Sequence, residues 1–133
     1  MTGINIENVQ EGLANAENVE RPGTWSSANN FKILCQEKMK FRNVGFRRNA
    51  KEMEVRKDFA VLRSLIDATI DMVLIFISTH ASGPNYQGCI VLHDEPEFDI
   101  QSELKNLRRV MDEVSNRSKS HPIPLIVFSQ VTH

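Results

Sequence analysis

Apolar residues along this chain follow two patterns, helical spacing and short uninterrupted runs. Positions that recur at roughly 3.6-residue intervals predict three amphipathic helices. Serine, asparagine and aspartate residues at the starts of these segments are typical helix N-caps. The predicted helices span about residues 26–39, 49–69 and 99–115.

The uninterrupted runs predict strands. Met72–Ile77 is apolar on both alternations, which is typical of a central parallel strand covered by helices on both faces. Pro124–Phe128 is a second such run, and Phe41–Phe46 and residues 88–98 predict a short strand and a small hairpin. Because helices and strands alternate, we expect an α/β fold with a mostly parallel sheet and helices on both faces.

The amino-terminal segment differs from the rest of the chain. Residues 1–20 are rich in Asn, Glu and Gly and show little apolar periodicity, so we expect a flexible arm before a domain at 21–133. This segment lacks the basic and apolar regions of a signal peptide. No apolar run approaches the roughly 20 residues that span a bilayer. A cytoplasmic protein with no membrane contact is the expectation.

Composition excludes several other classes of function. The chain has 133 residues and a net charge of −1, so the basic residues within Lys38–Lys51 are balanced elsewhere and predict a solvated face, not a nucleic-acid site. The two cysteines show no Cys-x-x-Cys spacing. The four histidines do not share the i, i+4 spacing of helical metal ligands. We therefore expect no metal and no cofactor.

Candidate chemistry lies at the ends of the two apolar runs. The first run leads into Ser78–His80, and the second leads into Ser129–His133. The carboxyl ends of parallel strands are where open α/β sheets build their binding sites. The sequence therefore predicts a site between these two strand ends.

Three short segments, taken in order, resemble the caspase family of cysteine proteases. Arg21–Thr24 is similar to the family's Arg-x-Gly-Thr segment, Thr79–Ala81 to Ser-His-Gly, and Ser129–Thr132 to the Gln-Ala-Cys signature with its flanks. The resemblance covers about residues 21–133, the part that forms the family's large subunit. It implies a caspase-like three-layer sandwich that lacks the small-subunit strands.

The resemblance also implies that the catalytic positions are degenerate. His80 stands where the family has its general base, Ala81 where a glycine amide helps to form the oxyanion hole, and Thr132 where the family has its cysteine. A thiol with an ordinary pKa of about 8.5 gives an appreciable thiolate near neutral pH, whereas a hydroxyl does not. We therefore expect a pseudo-enzyme and not a protease.

Part of the family's substrate pocket is represented by two residues. Arg21 and Gln130 stand at positions that grip an aspartate side chain in the family, a task suited to a guanidinium and an amide. The alternative is that Arg21 is an exposed residue at the end of the arm and Gln130 satisfies backbone groups at a strand terminus.

The last strand is also a candidate interaction edge. Without small-subunit strands, Leu125, Ile126, Val127 and Phe128 would leave unpaired backbone groups that invite another strand. We expect binding to a caspase, to a caspase precursor or to a second copy as a homodimer. The resemblance favours a decoy that inhibits apoptosis, which would suit a viral or parasite host antagonist. The alternatives are a pseudo-caspase that activates a partner caspase, a residual hydrolase that uses His80 with Thr132 or His133, and an α/β interaction domain unrelated to cell death.

Overall fold

The structure, a computed structural model, describes residues 2–7, 24–80, 88–118 and 121–132. The strands and helices follow one another along the chain in a mixed α/β order. The elements are β1 (Thr2–Glu7), α1 (Thr24–Ile33) with a π-helical turn at Leu34–Lys38, β2 (Asn43–Arg48), α2 (Glu52–Leu65), β3 (Val73–His80), β4 (Cys89–Ile90), β5 (Phe98–Asp99), α3 (Ile100–Ser118) and β6 (Leu125–Thr132).

A four-stranded sheet with the order β2-β1-β3-β6 forms the centre of the fold. Its three strand pairs are all parallel. The short strands β4 and β5 pair antiparallel with each other outside this sheet. The expectation of an α/β fold with a mostly parallel sheet is therefore confirmed.

Helices cover both faces of the sheet. Val73, Ile75 and Ile77 of β3 belong to a buried cluster that includes the apolar faces of α2 and α3. Leu74, which points to the opposite face, packs instead in a cluster with Cys35 from the π-helical turn after α1. The molecule thus has three layers, with α1 on one side of the sheet and α2 and α3 on the other.

The expectation of a flexible arm over residues 1–20 is wrong for its first part. Thr2–Glu7 forms β1, which pairs with β2 on one side and with β3 on the other. Its sequence alternates polar and apolar residues, and its neighbours on both sides satisfy its backbone groups. Residues 8–20 lie outside the described part of the chain.

The second helix is shorter than its apolar pattern predicts. It begins at Glu52 and ends at Leu65, whereas Asn49 lies before it with a φ of 52°. The Glu54 carboxylate accepts a hydrogen bond from the Lys51 backbone N–H at 3.0 Å. The Asp94 carboxylate accepts one from the Glu52 N–H at 2.7 Å, which ties the segment before β5 to the start of α2. None of the helices in the described ranges is long and apolar enough to cross a membrane.

A buried carboxylate joins the two helices on the same face of the sheet. Glu103 of α3 accepts hydrogen bonds from Arg56 at 2.9 Å and from Arg63 at 3.2 Å, both on α2. Its side chain is only 9% exposed. The Arg56 guanidinium also lies 5.0 Å from the ring centroid of the buried Phe98. These contacts hold α3 against α2 at one end of their interface.

We predict that Glu103→Gln lowers the free energy of unfolding by about 2 kcal/mol, because hydrogen bonds between charged groups are among the stronger ones. Urea denaturation followed by circular dichroism measures the change. Asp112→Asn on the same helix is the matched control, since the exposed Arg108–Asp112 pair is 3.9 Å apart and we expect a change below about 0.5 kcal/mol. Equal effects of the two substitutions would contradict the role assigned to Glu103.

Asp99 is the cap of α3 that the sequence predicts. Its carboxylate accepts hydrogen bonds from the Ser102 backbone N–H at 3.0 Å and from the Ser102 hydroxyl at 2.7 Å. The Ser102 side chain and backbone hydrogen bonds, in that order, hold the pKa of Asp99 below its ordinary value. The ionised carboxylate is therefore the form that stabilises the fold.

We predict that Asp99→Ala lowers the melting temperature at neutral pH and that this difference shrinks in acid. The stabilisation from a carboxylate with a lowered pKa is fully present above its unfolded value of about 3.9 and is lost as the pH falls through the folded pKa. Thermal melts of both proteins between pH 7 and pH 3 measure it. A difference that stays constant over this range would show that the charge of Asp99 does not contribute.

Candidate functional site

The predicted site residues lie on two neighbouring strands. β3 and β6 pair in parallel register, so that His80 is the Cα partner of Thr132 and Ser78 is the Cα partner of Gln130. Both strands extend beyond the apolar runs that predicted them and end at the same edge of the sheet. The fold therefore brings together the backbone positions of His80, Gln130 and Thr132.

The strand order adds β1 to this edge. The chain leaves β1 toward β2 on one side of the sheet, and it leaves β3 toward β6 on the other side. In open α/β sheets such a reversal creates a crevice outside the carboxyl ends of the two central strands. Glu7 of β1 and Ser78 of β3 are Cα partners at this point. Ser78 lies two residues before His80. The carboxyl ends of β1 and β3 therefore meet beside the positions that the sequence predicts.

The residues immediately before His80 are held firmly. Ser78 and Thr79 are only 2% and 1% exposed. The Thr79 hydroxyl donates a hydrogen bond of 2.6 Å to the carbonyl of Val91, which precedes the segment tied to α2. This contact anchors the end of β3 and so restricts where the chain can place His80.

Some of the predicted site residues lie outside the described part of the chain. These are Arg21, Ala81 and His133. The proposed pairing of Arg21 with Gln130 in an acid-binding pocket and the oxyanion position at Ala81 therefore stay predictions.

Neither cysteine is a ready nucleophile. Burial raises the pKa of the Cys35 thiol, which packs under α1. Burial, followed by the nearby carboxylates of Asp99, Glu97 and Glu95, raises the pKa of the Cys89 thiol. Both thiols are free, and neither lies on β3 or β6. A thiol with a raised pKa is mostly protonated near neutral pH and reacts slowly.

The described residues also contain no arrangement suited to a metal ion. Within the ranges that the structure covers, no group of three or more His, Cys, Asp or Glu residues is placed to hold one.

β6 is an outermost strand of the sheet, and its side that faces away from β3 is a lateral edge of the sheet. The Val73 N–H donates to the Pro124 carbonyl at 3.0 Å, and Val73 is the Cα partner of Leu125. A residue in a parallel ladder bonds to the residues on either side of its partner, so Ile126 also directs its backbone groups toward β3. Because these directions alternate along a strand, Leu125, Val127 and Ser129 direct their N–H and C=O groups away from β3. No described strand pairs with them.

The side chains of this strand are also partly uncovered. Ile126, Val127 and Phe128 are 37%, 38% and 46% exposed. Phe128 lies on the α1 side, where its ring centroid is 5.6 Å from that of Phe31. Phe31 in turn stacks on Phe76 of β3 at 4.8 Å. We call Leu125–Ser129, with its outward backbone groups and exposed apolar side chains, the β6 edge.

Two features of the site were missed in the sequence. β1 has a weak signal, the alternation in Gly3-Ile4-Asn5-Ile6-Glu7, which is typical of a strand. The anchor from Thr79 to Val91 has no local signal, because it joins residues that only the folded chain brings together.

No protein-family model matches this chain, and no curated protein matches it.

Proposed function

We propose that this protein is a catalytically inactive homologue of the caspases that regulates apoptosis by binding, as a decoy that interferes with caspase activation or activity. The observation that carries the proposal is the register of β3 with β6, which makes His80 and Thr132 neighbours. A caspase has its general base and its nucleophile at the positions that correspond to these two residues. A caspase-like sandwich is part of the same proposal.

The residue types at these positions support a binding role over catalysis. Thr132 supplies a hydroxyl where the family has a thiol, and a hydroxyl does not ionise appreciably near neutral pH. The two cysteines of the chain belong to other elements and have raised pKa values. The parts of the chain that the structure describes therefore hold no thiol with a lowered pKa that would replace the missing nucleophile.

The β6 edge supports an interaction with another protein. Its outward N–H and C=O groups at Leu125, Val127 and Ser129 are able to pair with an added strand, and such pairing gives affinity through main-chain hydrogen bonds. Ile126 and Phe128 would lose exposed apolar surface at the same time. A decoy that occupies a caspase or its precursor would bind it through this edge.

We predict that the purified protein, in stoichiometric excess, lowers the rate of aspartyl-peptide cleavage in an apoptotic cell extract. Val127→Pro should abolish the effect, because proline removes an outward N–H while the bonds from Ile126 and Phe128 to β3 remain. Val127→Ala is the matched control, since it retains the N–H and should still inhibit.

Three results of this assay would contradict the decoy proposal. A rise in the cleavage rate would mean that the protein activates a caspase. An unchanged rate with folded protein would leave no role for it in this pathway. Cleavage of the peptide by the purified protein alone, lost in His80→Ala, would establish a hydrolase.

A further inference from the structure

The two end strands of the sheet differ in how they resist pairing with other strands. β2 carries Arg47 and Arg48, and Arg47 is held by Asp58 and Glu54 of α2. Charged side chains on an end strand are a common protection against association with another sheet. β6 has no Asp, Glu, Lys or Arg over its eight residues. It therefore lacks this protection.

The β6 edge also complements itself. Two copies of one strand that meet across a two-fold axis run antiparallel. With the axis at Val127, Val127 lies opposite its counterpart and Leu125 lies opposite Ser129 of the second copy. All three residues direct their backbone groups outward, so each opposed pair exchanges two N–H to O=C hydrogen bonds. No like charges meet along this line.

The side chains fit the same register. Ile126 then lies opposite Phe128 of the second copy in the close, non-hydrogen-bonded type of pair, and Phe128 lies opposite Ile126. Pairs of an aromatic with a β-branched residue are among the favourable cross-strand contacts. Ile126 and Phe128 are two of the exposed large apolar side chains of the described residues. Their mutual burial would remove both from water.

We propose that the protein forms a two-fold homodimer through antiparallel pairing of β6 with β6, centred on Val127, which joins the two four-stranded sheets into one. The regulatory role of the dimer rests on the function proposed above, because dimerisation and caspase binding use the same edge. While a second copy occupies the β6 edge, a caspase cannot bind there. Dissociation of the dimer then controls the availability of the decoy.

Sedimentation of the purified protein alone tests the dimer separately from any effect on caspases. We expect wild type and Val127→Ala to shift from monomer to dimer between low and high micromolar concentration. Val127→Pro should weaken the dimer about tenfold or more, which is the effect of losing roughly 1.4 kcal/mol. A wild type that stays monomeric over this range, or a folded Val127→Pro that dimerises as well as Val127→Ala, would overturn the proposal.

Hydrogen exchange of the wild type provides a test that needs no variant. The amides of Ile126 and Phe128 bond to β3 and should be protected at every concentration. The amides of Val127 and Ser129 should gain protection only as the dimer forms. Protection of these two amides that does not depend on concentration would overturn the proposal. If dimerisation is confirmed at high concentration while caspase cleavage in extract is unaffected at concentrations where the protein is monomeric, the proposed function fails and the dimer stands.

Discussion

Burial of β3 on both faces is the constraint on which the rest of this structure depends. Val73, Ile75 and Ile77 pack under α2 and α3, while Leu74 packs on the α1 side and Phe76 stacks on Phe31 of α1. A strand that is apolar on both alternations is stable only when helices cover both of its faces. Its backbone groups must also be satisfied on both sides, and β1 and β6 provide these partners.

This arrangement determines where polar residues can collect. The apolar part of β3 ends at Ile77, and the strand continues through the buried Ser78 and Thr79 to His80. Since β6 is parallel to β3, its own polar end reaches the same edge. The buried core therefore positions the candidate site, and the hydrogen bond from Thr79 to Val91 holds the carboxyl end of β3 in place.

Much of this architecture is readable from local patterns. The run Met72–Ile77, the helical spacing of α3 and the cap at Asp99 all predict elements that the structure contains, because each reflects burial or capping within a few residues. The boundary of α2 was wrong because tertiary contacts define its start: Asp94 caps the Glu52 N–H from 42 residues away. β1 was missed because a six-residue strand with alternating polarity gives a weak signal when its stability comes from two neighbouring strands.

The candidate site was predictable to the same extent. Its strand ends follow from two apolar runs, but the register that pairs His80 with Thr132 depends on how β6 packs, which no local pattern encodes. The exposure of Ile126 and Phe128 is a further property of the assembled sheet, since the same apolar residues in an interior strand would be buried.

The candidate site and the β6 edge both depend on the parallel register of β3 with β6, which cysteine cross-linking measures directly. In a background without Cys35 and Cys89, His80→Cys with Thr132→Cys places two thiols on Cα partners of adjacent strands. The Cα atoms of such partners are about 4.8 Å apart, which is within the roughly 4.4–6.8 Å between the Cα atoms of a disulfide. We expect rapid disulfide formation on mild oxidation. We expect none for His80→Cys with Phe128→Cys, because these positions lie about 13 Å apart along the strand direction. Failure of the first pair to cross-link in a folded protein, or equal cross-linking of both pairs, would show that β3 and β6 do not have this register.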